Sequence, residues 1–132
     1  MAEQFRVLVI DDDPGVRDYM EALVSRQGYQ VFAAADGEQG LEKLEETRPD
    51  LVTLDISMPE SSGTRFYKEL KSDPNLSGIP VVVVTAVSGE DGDPYGFRDI
   101  ISNRQQVPAP EGYFPKPINK DEFLKVIRKL LS

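Results

Sequence analysis

Short apolar runs alternate with helical patterns along the chain, and this alternation restricts the folds that it can adopt. Four runs lack the alternation of polar and apolar residues that is typical of a strand exposed on one face: 7–10, 31–34, 51–54 and 81–84. Such runs predict strands that are buried on both faces, as in a parallel sheet. A fifth, shorter strand is predicted at 112–114, between Pro110 and Pro115.

Helix signals lie between these runs. Asp13-Pro14 supplies an N-cap residue and a proline at the first helical position, and Gly28 ends the apolar spacing that follows. Three further helices are predicted to begin near Asp36, Ser62 and Asn119. A strand followed by a helix, repeated about five times, predicts an α/β fold with helices on both faces of a parallel sheet. We expect one flavodoxin-like, doubly wound (βα)5 domain over 1–132, with strand order 2-1-3-4-5.

The composition excludes several kinds of function. A chain of 132 residues is long enough to bury a core without disulfides or structural metals. It contains no cysteine and no histidine, so thiolate nucleophiles and metal sites with sulfur or imidazole ligands are excluded. The net charge of −8 argues against binding to nucleic-acid phosphates. With no signal peptide or apolar span at the N-terminus, we expect a cytoplasmic protein without a membrane partner.

Polar residues follow the predicted strands at the edge where open α/β sheets bind ligands. Asp11 and Asp12 follow the first strand, Asp55 the third, Thr85 ends the fourth and Lys116 follows the fifth. In the expected strand order these side chains converge. Converging carboxylates repel one another unless a cation lies between them, and oxygen ligands suit Mg²⁺.

Asp55 occupies the centre of this predicted site. A carboxylate at the tip of a middle strand can attack phosphorus in line and form an aspartyl phosphate. The metal, the Lys116 ammonium and the Thr85 hydroxyl would then stabilise the charge on the transferred group. The residues therefore predict phosphoryl transfer to Asp55. Asp13 is better explained as a helix cap than as a metal ligand.

Four sequence blocks, at 9–14, 49–59, 83–86 and 115–117, resemble the signature blocks of the bacterial two-component response-regulator receiver domain, the CheY-like family. The resemblance extends from about residue 5 to residue 131. It implies that Asp55 accepts a phosphoryl group from a phosphohistidine of a sensor histidine kinase or a histidine phosphotransfer protein. It also implies a signalling phosphoacceptor, not an enzyme with a separate substrate, that acts as a monomer or as a phosphorylation-dependent dimer.

The same resemblance implies roles for individual residues. The implied Mg²⁺ ligands are Asp11, Asp12, the Asp55 carboxylate and the backbone carbonyl of Ser57. Thr85 and Lys116 would contact the phosphoryl oxygens, and Lys116-Pro117 would be a cis peptide. Thr85 would also act as a switch with Tyr113, although packing alone is an equally good explanation of Tyr113.

The segment 86–111 is longer than one loop, helix and second loop require. Asp93-Pro94 predicts the start of a helix that runs to about Asn103, and the prolines after Gln105 predict extended surface. The resemblance places partner contacts on this helix, the last strand and the last helix. The extra residues therefore either reshape the partner surface or are a tolerated insertion.

Other functions remain open at this stage. A receiver-like scaffold would bind partners without phosphorylation, but the complete set of acids, Thr85 and Lys116 argues against it. A flavodoxin-like cofactor site needs a phosphate cradle of backbone amides after the first strand, where this chain has Asp11 and Asp12. An aspartyl phosphatase would need a second acid two residues after Asp55, and that residue is Ser57.

Overall fold

A computed structural model of the chain describes residues 4–56, 58, 62–85 and 109–132. Strands and helices alternate in this part of the chain. The strands are β1 (Arg6–Ile10), β2 (Gln30–Ala34), β3 (Leu51–Asp55), β4 (Val81–Thr85) and β5 (Gly112–Pro115). The helices are α1 (Pro14–Ser25), α2 (Gly37–Thr47), α3 (Ser62–Ser72) and α4 (Lys120–Leu130). The helix predicted at 93–103 lies outside the described residues.

The five strands form one parallel sheet in the order β2-β1-β3-β4-β5. This order confirms the predicted α/β topology. It places β1, β3 and β4 side by side in the middle of the sheet, with β2 and β5 at the edges. The carboxyl ends of the three central strands therefore meet at one rim of the sheet. Asp55 and Thr85 end β3 and β4 at this rim, and Asp11 and Asp12 directly follow β1.

Two cores, one on each face, hold the sheet between its helices. Alternate residues of β1 point to opposite faces: Leu8 and Ile10 pack in the core with α2 and α3, whereas Val7 and Val9 pack in the core with α1 and α4. Every residue of β3 and β4 is buried. Burial on both faces explains why these strands are continuous apolar runs in the sequence.

The strand β2 is less buried than its apolar run predicted. Gln30 is exposed and residues 31–33 are only half-buried. The reason is its place at the edge of the sheet, where it pairs with β1 alone. The expectation of burial on both faces is wrong for this strand.

Side-chain caps begin α1, α2 and α4 where the sequence predicted them. Asp13 accepts hydrogen bonds from the backbone N–H groups of Gly15 and Val16, and Asp36 and Asn119 cap α2 and α4 in the same manner. These contacts confirm the capping role of Asp13. The described helices have 11 or 12 residues, and none of them is long and apolar enough to cross a membrane.

Candidate functional site

Three carboxylates form an acidic cluster at the rim of the sheet: Asp11, Asp12 and Asp55. Each of them offers an oxygen within 4.8 Å of the others. Asp55 is the last residue of β3, and Asp11 and Asp12 directly follow the neighbouring strand β1. Asp11 and Asp55 are each only 3% exposed, whereas Asp12 is exposed. The structure thus brings together the acids that the sequence singled out, with one of them open to solvent.

The Lys116 ammonium lies between two of these acids. Its Nζ is 2.9 Å from Oδ2 of Asp11 and 3.3 Å from Oδ2 of Asp55. Burial acts to lower the pKa of Lys116, but the hydrogen bond to Asp11 and the charge of Asp55 outweigh burial and raise it above its ordinary value. Lys116 is therefore a fixed positive charge at neutral pH, in contact with Asp55.

Burial also shapes the chemistry of Asp11. It raises the pKa of Asp11 above the ordinary value, and the nearby charge of Asp55 acts in the same direction. The hydrogen bonds from Lys116 and from the backbone N–H of Asp13, 3.0 Å away, oppose this rise without cancelling it. These hydrogen bonds compensate only part of the cost of burying the negative charge of Asp11. A cation added next to Asp11 would therefore stabilise its ionised form.

Thr85 and Tyr113 lie on the neighbouring strands β4 and β5. Thr85 is completely buried at the end of β4, and its carbonyl accepts a hydrogen bond from the Lys116 backbone N–H at 2.7 Å. Tyr113 pairs with Val83 and is half-buried. Its hydroxyl is buried without a hydrogen-bond partner among the described residues. Ser57, the remaining predicted ligand, lies outside those residues.

The Lys116-Pro117 peptide is cis, as the resemblance implied.

Two glycines that the sequence analysis did not treat as functional lie at close contacts between α2, α3 and the end of β3. A Cβ at Gly63, in the first turn of α3, would overlap the carbonyl oxygen of Asp55. The backbone N–H of Gly37, at the start of α2, donates a hydrogen bond to Oγ of Ser62. The available signal for Gly63 was a glycine inside a helical pattern, which often reflects close packing.

The donor set of this cluster fits a hard divalent cation. Among the described residues, two cationic groups contact these acids: the Lys116 ammonium and the Arg17 guanidinium, which donates to the backbone carbonyl of Asp11 at 3.0 Å. Three carboxylates therefore leave negative charge in excess, and all their ligand atoms are oxygens. Oxygen-only sites suit Mg²⁺, which keeps part of its water shell and commonly binds a phosphate at the same time. The cluster can therefore hold a metal ion next to the Asp55 carboxylate.

Comparison with known sequences identifies the family. The sequence profile of the response regulator receiver domain matches residues 7–128. The chain belongs to this family. It is 30% identical to Protein PilH of Pseudomonas aeruginosa, over 96% of this chain and 98% of PilH. It is 34% identical to sporulation initiation phosphotransferase F of Bacillus subtilis, over 96% of this chain and 93% of that protein.

The receiver domain also resembles solved structures and parts of longer proteins. Vibrio cholerae chemotaxis protein CheY4 matches with a TM-score of 0.79 at 25% identity, over 97% of this chain and 99% of CheY4. A CheY-like receiver domain protein from Methanospirillum hungatei matches with a TM-score of 0.78 at 26% identity. The match covers 97% of this chain and 94% of that protein. The chain spans about half the length of response regulator MprA of Mycolicibacterium vanbaalenii. These relatives confirm the predicted family: the chain is a phosphoacceptor response regulator of two-component signalling.

Proposed function

We propose that Asp55 is the phosphorylated residue and that it receives its phosphoryl group from a phosphohistidine of a sensor histidine kinase or a histidine phosphotransfer protein. One observation carries this assignment. The nearly buried Asp55 carboxylate contacts the Lys116 ammonium and also belongs to the acidic cluster. Asp11 makes the same two kinds of contact, but Asp55 ends the central strand β3, between the strand that carries Asp11 and Asp12 and the strand that ends in Thr85. Proteins of this family are signalling phosphoacceptors, and we propose no separate substrate for this one.

In the proposed reaction, an oxygen of the Asp55 carboxylate attacks the phosphorus atom. The bond between phosphorus and the donor imidazole nitrogen breaks, and its electron pair leaves with the imidazole. Asp11, Asp12, Asp55 and the backbone carbonyl of Ser57 would hold Mg²⁺, which neutralises charge on the transferred group when it is bound. Lys116 would face the same oxygens with its positive charge, and the Thr85 hydroxyl would donate a hydrogen bond to the phosphoryl group once it is attached to Asp55.

We propose that phosphorylation then shifts the domain between two conformations. The Thr85 hydroxyl would contact the phosphoryl group in only one of them, and Tyr113 would change its position with it. The changed surface would comprise the segment 86–111, β5 and α4, where a downstream protein binds. We expect Thr85→Ala to accept phosphate at Asp55 but to lose this response, measured by amide chemical shifts. A complete response in the alanine variant would make Thr85 structural only.

The decisive experiment is labelling with a small-molecule phosphodonor, followed by intact mass. The unchanged chain should gain one phosphoryl group in Mg²⁺, and Asp55→Asn should gain none. Asp18→Asn is the matched control, because it removes an exposed carboxylate of α1 by the same chemical change. A gain that survives in the Asp55 variant would contradict the assignment.

We further propose that the domain acts in the cytoplasm, as a monomer or as a phosphorylation-dependent dimer. The net charge of −8 supports protein partners over direct binding to nucleic acid or to an anionic membrane. Sedimentation with and without phosphodonor distinguishes the two assembly states.

A further inference from the structure

A buried lysine lies at the end of the sheet opposite the acidic cluster. Lys71, in the last turn of α3, has a side chain that is 1% exposed. Its Nζ lies 3.2 and 3.3 Å from the two carboxylate oxygens of Glu111, and 3.2 Å from the carbonyl oxygen of Ile79. Lysine is rarely buried unless it is paired, so this contact needs an explanation.

Glu111 connects this lysine to the sheet. Its Oε1 accepts a hydrogen bond from the backbone N–H of Val81 at 2.7 Å. Its own backbone N–H donates to the carbonyl of Val81 at 2.9 Å. Val81 is the first residue of β4, and Glu111 immediately precedes β5. Glu111 therefore ties α3, β4 and the beginning of β5 together.

We propose that the Lys71–Glu111 pair fixes the register of β5 on β4, and that both are positioning residues for Lys116. This inference rests on the proposed function, in which Lys116 acts on the phosphoryl group. The pair does not touch the reacting atoms. It acts through the strand, because β5 begins directly after Glu111 and Lys116 directly follows its last residue.

The strand β5 is held less firmly than the central strands, although Phe114 packs edge-to-face on Phe123 of α4. It has four residues, pairs with β4 alone and is only partly buried. It follows the long segment 86–111, and closing a long connection restrains its ends weakly. A one-residue shift of an edge strand would reverse the faces of all its side chains. The ion pair at the start of the strand joins the buried Lys71 ammonium to a Glu111 side chain that is 36% exposed and also accepts from the Val81 backbone N–H, and these charge-assisted bonds are suited to preventing such a shift.

The distances at the other end show why register matters for the chemistry. A shift by one residue moves a strand by about 3.3 Å along its axis. Lys116 lies 2.9 Å from Asp11 and 3.3 Å from Asp55, so a shift of that size would break both contacts. The acids themselves would stay in place, because Asp55 ends β3 and the other two acids directly follow β1.

The test is Glu111→Gln, which keeps an oxygen that can accept from Val81 but removes the charge that holds Lys71. We expect Asp55 to be labelled by a small phosphodonor at least about tenfold more slowly in saturating Mg²⁺. Mg²⁺ affinity, measured by calorimetry, should be unchanged or higher, because the acids remain and a competing ammonium has moved. Without Mg²⁺, the amide signals of Tyr113 and Lys116 should shift.

Glu46→Gln is the matched control. It removes a carboxylate from the exposed Lys43–Glu46 pair, 3.5 Å long, by the same substitution. It should leave the labelling rate, the Mg²⁺ affinity and the Tyr113 and Lys116 signals unchanged. Lys71→Met removes the other member of the Lys71–Glu111 pair and tests the same expectation if the Glu111 variant fails to fold.

An unchanged labelling rate with unchanged Tyr113 and Lys116 signals would overturn the inference. A parallel loss of labelling and Mg²⁺ affinity would also overturn it, because it would show general damage to the site. If the unchanged chain is not labelled at Asp55, the proposed function fails instead. The amide signals still test the anchoring of β5 in that case.

Discussion

The carboxylates and the lysine of the site lie on regions of the sheet that differ in how firmly they are held. Asp11, Asp12 and Asp55 extend from β1 and β3, each of which is hydrogen-bonded to a strand on both sides. Lys116 follows β5, which pairs on one side only. The acidic half of the site is therefore built into the middle of the sheet, whereas the cationic half depends on an edge.

Burial shows the same difference. All five residues of β3 are buried, while no residue of β5 is fully buried. Strands with less buried apolar surface open at lower free energy, and elements that move during switching are drawn from such regions. We therefore expect the acids to keep the same positions in both signalling states, so that the sites for metal and phosphate do not change. We expect the conformational change to occur at β5 and the elements next to it.

The largest effect is expected from the central strands. Replacing both Asp11 and Asp12 by asparagine should slow labelling of Asp55 by about a thousandfold, because several kcal/mol of metal-dependent charge stabilisation is lost. The remaining labelling should no longer respond to Mg²⁺. Rates are measured by intact mass, and the unchanged chain in chelator should behave like the double variant. Equal labelling of the unchanged chain in chelator and in Mg²⁺ would contradict the prediction.

A smaller effect on rate is expected from the edge. Lys116→Gln should slow labelling by about a hundredfold, since it removes one donor to the charged transition state. In contrast to the acid variants, it should bind Mg²⁺ more tightly, because a positive charge 3.3 Å from Asp55 is gone. Calorimetry with Mg²⁺ checks this second part. Weaker Mg²⁺ binding would mean that Lys116 holds the acids in place instead of competing for them.

The site and the Lys71–Glu111 contact that anchors its edge strand differ in how far the sequence could predict them. Each acid is adjacent to a buried apolar run, so strand order alone brought the acids together. The Lys71–Glu111 contact joins residues 40 positions apart. Nothing local distinguishes Lys71 from a solvated helix lysine, and Glu111 lies at the end of a proline-containing stretch. Such a pairing follows from the packing of α3 against the sheet, which no local pattern encodes.

Gly63 tests how tightly the central region is packed. Gly63→Ala should lower the free energy of unfolding by about 1–3 kcal/mol, because its Cβ would overlap the Asp55 carbonyl and the backbone of α3 must shift. Gly78→Ala is the control, since a Cβ there meets no atom within 4 Å. Chemical denaturation of both variants measures the difference. Equal stabilities would show that α3 is free to move away from β3.

The raised pKa of Asp11 predicts how metal binding depends on pH. The folded chain binds a proton at Asp11 more tightly than the unfolded chain does. Without Mg²⁺, the contribution of Asp11 to stability is therefore greatest in acid and decreases as the pH rises through this pKa. Protons compete with Mg²⁺, so stabilisation by Mg²⁺ should shrink from about pH 7 to about pH 4. Thermal unfolding with and without Mg²⁺, repeated across this pH range, measures the stabilisation. In Asp11→Asn the stabilisation by Mg²⁺ should vary less with pH.

The smallest effect on labelling is expected from shortening the long connection before β5. Because Glu111 bonds to Val81, a deletion of 104–108 leaves the anchor of β5 intact. Mg²⁺-dependent labelling of Asp55 should change by less than about twofold, because the entropy of closing a long connection varies only slowly with its length. Binding to a downstream partner should weaken if these residues shape the partner surface, whereas unchanged binding would favour a tolerated insertion. Loss of labelling would instead show that the connection, and not the anchor at Glu111, holds the edge half of the site.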